Sequence, residues 1–134
     1  MPLDAPARTF VRATGWAAMR VLPARRHVAV HGWPDSEGNS LEVLRALARR
    51  YPGDIVWLLN DAHYQPPAHV AADLGRVRRV RKDSHEGWRA AVSAEAVFFT
   101  HGLYTAVPPP ADRLVVNLWH GDGPKAVRDT QLIR

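Results

Sequence analysis

The sequence contains no cysteine. Disulfides, thiolate metal sites and thiol nucleophiles are therefore excluded. No apolar run approaches the roughly 18 residues that a membrane-spanning helix needs. The N-terminus lacks a continuous apolar stretch followed by a small-residue cleavage site, so no secretory signal is expected. The chain is expected in the cytoplasm, soluble or attached to a surface. Acidic residues are in deficit, 13 against 18 Lys+Arg, which leaves a net charge of +5 with His neutral. Lysine is scarce, with only Lys82 and Lys125, so the basic character belongs to arginine. Arginine is a planar fork suited to phosphate and carboxylate. The 134 residues allow one domain with one core. A hydrophobic content of 46% with 23% charged residues is a globular balance, not a disordered one.

Charge is uneven along the chain. Residues 1–26 hold Arg8, Arg12, Arg20, Arg25 and Arg26 against Asp4 alone, so nearly all of the surplus lies there. Residues 7–22 read as an amphipathic helix. At about 100° per residue, Phe10, Val11, Ala17, Ala18, Val21 and Leu22 share a face, interrupted by Thr14. Arg8, Arg12 and Arg20 lie opposite, with Trp16 and Met19 beside them, and Pro23 ends the pattern.

From residue 27 onward, short β-rich runs alternate with helical ones. Strands are expected at 27–30, 54–59, 76–81, 95–100 and 113–118. The third, with only Val77 and Val80 among arginines, suits a sheet edge. Asn39 with Glu42 is expected to cap a helix burying Leu41, Leu44, Leu47, Ala48 and Tyr51. Asp83 with Glu86 repeats that spacing before a helix through Ala94 burying Trp88, Ala91 and Val92. A short helix is expected over 67–74, a Pro-rich loop over 102–112, and a further helix from near Gly123. The alternation implies a Rossmann-like α/β domain over 27–134. Its parallel sheet of about five strands is doubly wound, in an order such as 3-2-1-4-5. Ligands in such sheets bind beyond the carboxyl ends of the strands, near the reversal between strands 1 and 4.

Three strands end in the same dipeptide: His31-Gly32, His101-Gly102 and His120-Gly121. The order above brings all three to one rim. Neutral imidazole there can take a proton or donate a hydrogen bond. The plainer alternative is histidine tolerated at a polar rim. A three-His zinc site lacks supporting ligand spacing, and no metal or cofactor is expected. The strongest segment is 117–125, Asn-Leu-Trp-His-Gly-Asp-Gly-Pro-Lys. It runs from strand into helix, where free N–H groups and Lys125 favour phosphate. The plainer alternative is an ordinary strand–helix turn.

Trp119-His120-Gly121, with Lys125 five residues after the His, resembles the WHGTPLK-type signature of the CDP-glycerol glycerophosphotransferases, the teichoic-acid primases and polymerases. The upstream order is similar too: Gly38-Asn39-Ser40 opens a helix, Tyr51-Pro52-Gly53 precedes Ile55-Val56-Trp57, and residues 96–100 precede a long loop. The resemblance spans residues 27–128, and WHG…K is its specific element. It implies the acceptor-side half of a protein similar to the two-domain GT-B glycosyltransferases. The half that holds most of the CDP-glycerol site is expected to be missing. His120 would be the catalytic base for the acceptor hydroxyl. Trp119, Gly121, Asp122, Lys125, His101, Gly102 and His31 would line the substrate site. Asp122-Gly123-Pro124 departs from the family's Thr-Pro-Leu and sets a carboxylate beside His120.

The implied partners are CDP-glycerol and a lipid-linked polyol-phosphate acceptor at the inner face of the plasma membrane. The helix at 7–22 either lies on that surface or docks on the domain's own core. Nucleic acid is not expected, because the basic run 76–82 has no interleaved aromatics. A dinucleotide is not expected either, because residues 31–38 lack G-x-G-x-x-G. Two alternatives remain open: a non-catalytic α/β binding module, and a fragment of another GT-B-type glycosyltransferase.

Overall fold

The computed structural model describes residues 14–15, 17–100 and 110–118. Five strands, β1 (Arg25–His31), β2 (Asp54–Leu59), β3 (Arg78–Arg81), β4 (Ala94–Phe99) and β5 (Leu114–Asn117), pair in parallel in the order β3-β2-β1-β4-β5. This is the doubly wound, Rossmann-like α/β sheet expected from the sequence. Helix α1 (Gly38–Arg50) joins β1 to β2. The short α2 (Ala68–Ala71), continued by one 3-10 turn, joins β2 to β3, and α3 (His85–Ser93) joins β3 to β4.

β2 reads Asp-Ile-Val-Trp-Leu-Leu, and its last five residues are all buried. Strand side chains alternate between faces, so an unbroken apolar run requires cover on both. Ile55, Trp57 and Leu59 pack with Leu41 and Leu44 of α1 and Val70 of α2. Val56 and Leu58 pack on the other face with Ala90, Ala91 and Val92 of α3. Each such side chain contributes about 1.5–3 kcal/mol relative to exposure. Val77 and Val80 divide between the two faces, as their spacing predicts for an edge strand.

Two capping expectations are corrected. Glu37, not Asn39, caps α1, and its carboxylate accepts the N–H groups of Asn39 and Ser40. Ser84, not Asp83, caps α3 through the Gly87 N–H. In each case a residue one or two positions away offers the same acceptor in the extended backbone a cap requires. Trp88 is only half-buried, because α3 turns its small residues inward. Gly87 permits that approach, since a Cβ there would lie 2.3 Å from the Arg81 carbonyl oxygen.

The N-terminal helix is corrected in its face. Residues 14–15 and 17–21 are helical; among the described residues Gly15 and Met19 are buried and Ala18 partly buried, while 7–13 and 16 lie outside them. Ala17 is exposed, and Val21 is 82% exposed. Positions 15, 18 and 19 share one helical stripe, and Met19 is the long apolar side chain among these three. Arg113, 6% exposed, locks this segment down. It donates to the carbonyls of Val92 (2.8 Å) and Ala94 (2.9 Å) and to those of Met19 (3.3 Å) and Leu22. One guanidinium thus closes the carboxyl ends of the N-terminal helix and α3 together.

Candidate functional site: the carboxyl rim of the sheet

The register fixes where the rim lies. His31 of β1 sits beside Phe99 of β4, and Phe99 sits beside Asn117 of β5. Beyond the strands the pairing continues. The Thr100 N–H donates to the His31 carbonyl (3.1 Å), and the Leu118 N–H donates to the Phe99 carbonyl (2.8 Å). Asn39, in the first turn of α1, reaches the Leu118 carbonyl at 3.4 Å. The carboxyl ends of β1, β4 and β5 therefore form one continuous edge, with the start of α1 against it.

The β1–α1 loop is held inward by its polar groups. The Trp33 N–H donates to Thr100 Oγ1 (3.0 Å), and the Trp33–Pro34 peptide is cis. The Trp33 side chain remains 55% exposed. Gly32 passes so close to α1 that a Cβ would meet Ser40 Oγ at 2.2 Å. Only glycine gives the backbone that clearance. Asp35, 6% exposed, is the hub of the loop. Its carboxylate accepts the Asn60 N–H (2.8 Å), the Asn60 side-chain amide (2.7 Å) and the Asp61 N–H (2.7 Å). A buried carboxylate requires such donors.

Asn60 passes this order to His31. Its amide nitrogen also donates to the Gly32 carbonyl (2.9 Å), so its orientation is fixed by two acceptors. Its carbonyl oxygen then faces His31 Nε2 at 3.1 Å. An amide oxygen only accepts, so the network assigns the proton to Nε2 of His31. The imidazole itself is 1% exposed. His31 therefore lies beneath the rim, as a packed and hydrogen-bonded histidine, and not on its outer surface.

The start of α1 is unsuited to an anion. The Glu37 carboxylate already occupies the Asn39 and Ser40 N–H groups at 3.0 and 2.8 Å. This agrees with the absence of a dinucleotide fingerprint in the preceding loop.

Of the site residues expected from the sequence, only His31 lies among the described residues. His101, Gly102, Trp119, His120, Gly121, Asp122 and Lys125 lie outside them, as do the helix expected from near Gly123 and most of the 102–112 loop. The described chain reaches the rim at Thr100, one residue before His101, and at Leu118, two before His120. Asp35 and Asn60 were not singled out by their sequence context. Their signal was slight: each is a polar residue just past the carboxyl end of an apolar strand.

The arginines of the basic run are mostly engaged in the structure. Arg76 donates to the carbonyls of Ala48 (3.1 Å), Tyr51 (2.6 Å) and Gly53 (2.6 Å), closing the end of α1. Arg78 pairs with Glu86, and Arg79 lies 5.3 Å over the Trp57 ring while donating to the Tyr64 carbonyl. Among the described residues, no cluster of three or more His, Asp or Glu is arranged to hold a metal ion. No described helix is long and apolar enough to cross a membrane.

No protein-family profile, no curated protein and no solved structure matches this chain.

Proposed function

We propose that this chain is the acceptor-side half of a CDP-glycerol glycerophosphotransferase, acting in synthesis of a teichoic-acid-like polymer. One observation carries the reading. In sequence, the segment resembling WHG…K begins one residue after Leu118, where the described chain reaches the rim at which the ends of β1, β4 and β5 meet. That is the ligand-bearing edge of a doubly wound sheet.

In this reading, the acceptor hydroxyl attacks the β-phosphorus of CDP-glycerol. A new P–O bond forms, the bond to the CMP oxygen breaks, and His120 takes the hydroxyl proton. Lys125 offsets negative charge on the phosphoryl oxygens. Trp119, Gly121, His101 and Gly102 shape the acceptor side, and Asp122 orients the His120 ring. His31 serves from below: with Asn60 and Asp35 it ties the β1–α1 loop to the end of β2, while the Trp33 N–H ties it to Thr100 after β4. The Glu37 carboxylate at α1 repels anions, which favours the β5 side for phosphate. The acceptor is lipid-linked, and residues 7–22 bring the basic N-terminus toward the inner membrane surface.

The test is CMP release from CDP-glycerol, compared with sugar nucleotides, in the presence of a polyol-phosphate acceptor. It is run on the chain alone and on a version extended by the downstream reading frame. Release is expected from the extended protein with CDP-glycerol only, and His120→Ala should lower it by about 10²–10⁴-fold. Release that survives His120→Ala overturns the assignment of the base. Release from sugar nucleotides instead would favour another GT-B-type transferase, and no release at all would favour a binding module.

A further inference from the structure

A cleft opens at the opposite edge of the sheet, where the strands begin. It lies between the amino ends of β1 and β2 and the side of α3. Arg25 and Arg26 of β1, Arg78 of β3 and Arg89 of α3 line it. Its acids are Asp54 and Glu86, and Glu86 is paired with Arg78. Arginines outnumber acids among the lining residues, four to two, so the cleft is basic.

Elsewhere in the fold, several arginines are engaged, although Arg50 and Arg81 stand exposed with no carboxylate pair among the described residues. Arg45 meets Asp73 and Glu42, Arg76 closes α1, Arg79 covers Trp57, and Arg113 holds four carbonyls. Arg25, Arg26 and Arg89 differ from the engaged set: no carboxylate pairs with any of them among the described residues. The floor of the cleft is polar and ordered, with His27 Nε2 donating to the Ala90 carbonyl at 2.8 Å. Like charges gathered in a concavity focus a positive potential, and an anion seated there relieves their repulsion.

We propose that this cleft binds a phosphate group. A phosphate offers several acceptor oxygens and up to two negative charges, which suits forked donors arriving from different directions. The phosphate has two possible sources, a dissolved phosphate compound or a phospholipid headgroup. The second source has its own support: Leu22 lines the cleft, and beside it Val21 stands 82% exposed. An apolar tip beside a basic cleft matches a headgroup layer over acyl chains. Phosphate binding by the cleft arginines stands without the transferase reading, since none of them belongs to the carboxyl rim, whereas the headgroup source shares residues 21 and 22 with the membrane approach proposed above.

The experiment uses the full chain and two probes: inorganic pyrophosphate by calorimetry, and sedimentation with phosphatidylglycerol or phosphatidylcholine vesicles. The site variant is Arg25→Gln with Arg89→Gln. The control is Arg50→Gln with Arg81→Gln, which removes the same charge from exposed positions elsewhere. Urea midpoints verify that both variants fold. At least one probe should bind the wild type, with the site variant about tenfold weaker or more and the control nearly unchanged, a difference of about 1.4 kcal/mol. Arg89→Lys should fall between them, because it keeps the charge and loses the fork. Pyrophosphate binding identifies a dissolved ligand. Binding to phosphatidylglycerol vesicles alone, weakened also by Val21→Ser, identifies a headgroup. The proposal is overturned if neither probe binds, or if the control weakens binding as much as the site variant does.

Discussion

Replacing Asp35 with Asn changes little in shape and much in hydrogen bonding. The carboxylate accepts three N–H donors, two on Oδ1 and one on Oδ2, at 2.7–2.8 Å. An ionised carboxylate is purely an acceptor, whereas an amide must present one NH₂. Kept on Oδ1's contacts, the new amide turns its NH₂ toward the Asp61 N–H, setting donor against donor. One charge-assisted bond is lost, worth about 1.5–3 kcal/mol, and the other two fall to the strength of neutral bonds. Asn60 is half-buried and Asp61 exposed, so water recovers part of this. The net cost is about 2–3 kcal/mol, which at a urea slope of about 1.5 kcal/mol/M lowers the midpoint by roughly 1.5 M. The same substitution loosens Asn60 and with it the partner of His31. Imidazole nitrogen shifts by NMR should show a single Nε2–H tautomer of His31 in the wild type and a mixture in Asp35→Asn. A stability change below roughly 0.5 kcal/mol, or an Nδ1–H tautomer in the wild type, refutes the hub.

Further outcomes follow from other parts of the fold. Arg113→Met should cost about 1–3 kcal/mol in urea unfolding, because it strips the donor from buried carbonyls of two helix ends. Hydrogen exchange should then show residues 17–21 opening first. Gly32→Ala should cost about 1–3 kcal/mol, since its Cβ would lie 2.2 Å from Ser40 Oγ and Ser40 is fully buried. Burial, then the hydrogen bond to Glu95, pushes the Tyr51 hydroxyl up to about 12. The folded state therefore holds this proton more tightly than the unfolded chain, so its contribution is complete below about pH 10 and is lost as pH rises toward 12. Tyr51→Phe should flatten that alkaline limb of stability. The Arg45 guanidinium holds Asp73 below the usual carboxylate range, so the link between α1 and α2 persists at neutral pH and weakens in acid. Asp73→Asn should remove that acid dependence, and added salt should mimic it.

Much of the architecture was legible in the sequence. β2 lies at the residues its apolar run marks, and β3 is an edge strand, as its two valines among arginines require. The strand order is the doubly wound one that right-handed crossovers favour. These features are legible because periodicity and chirality are local rules. Caps were less legible: Glu37 and Ser84 displaced the residues whose spacing fits the capping pattern, because a cap depends on local backbone angles that spacing does not specify.

What the sequence by itself determined is the alternation of elements, the parallel sheet and the carboxyl rim where β1, β4 and β5 end. Tertiary structure alone decided which polar residues serve that rim. Asn60 lies 29 residues from His31 and 25 from Asp35, and only the pairing of β1 with β2 brings it to them as one network. Arg113 and Met19 likewise look unremarkable in sequence, and they meet because two helix ends and β4 converge on one buried guanidinium. A side chain's hydrogen-bond partners are set by which strands lie side by side, and that is information no local pattern holds. The same cause separates the arginines that hold the fold together from those left facing the amino-terminal cleft.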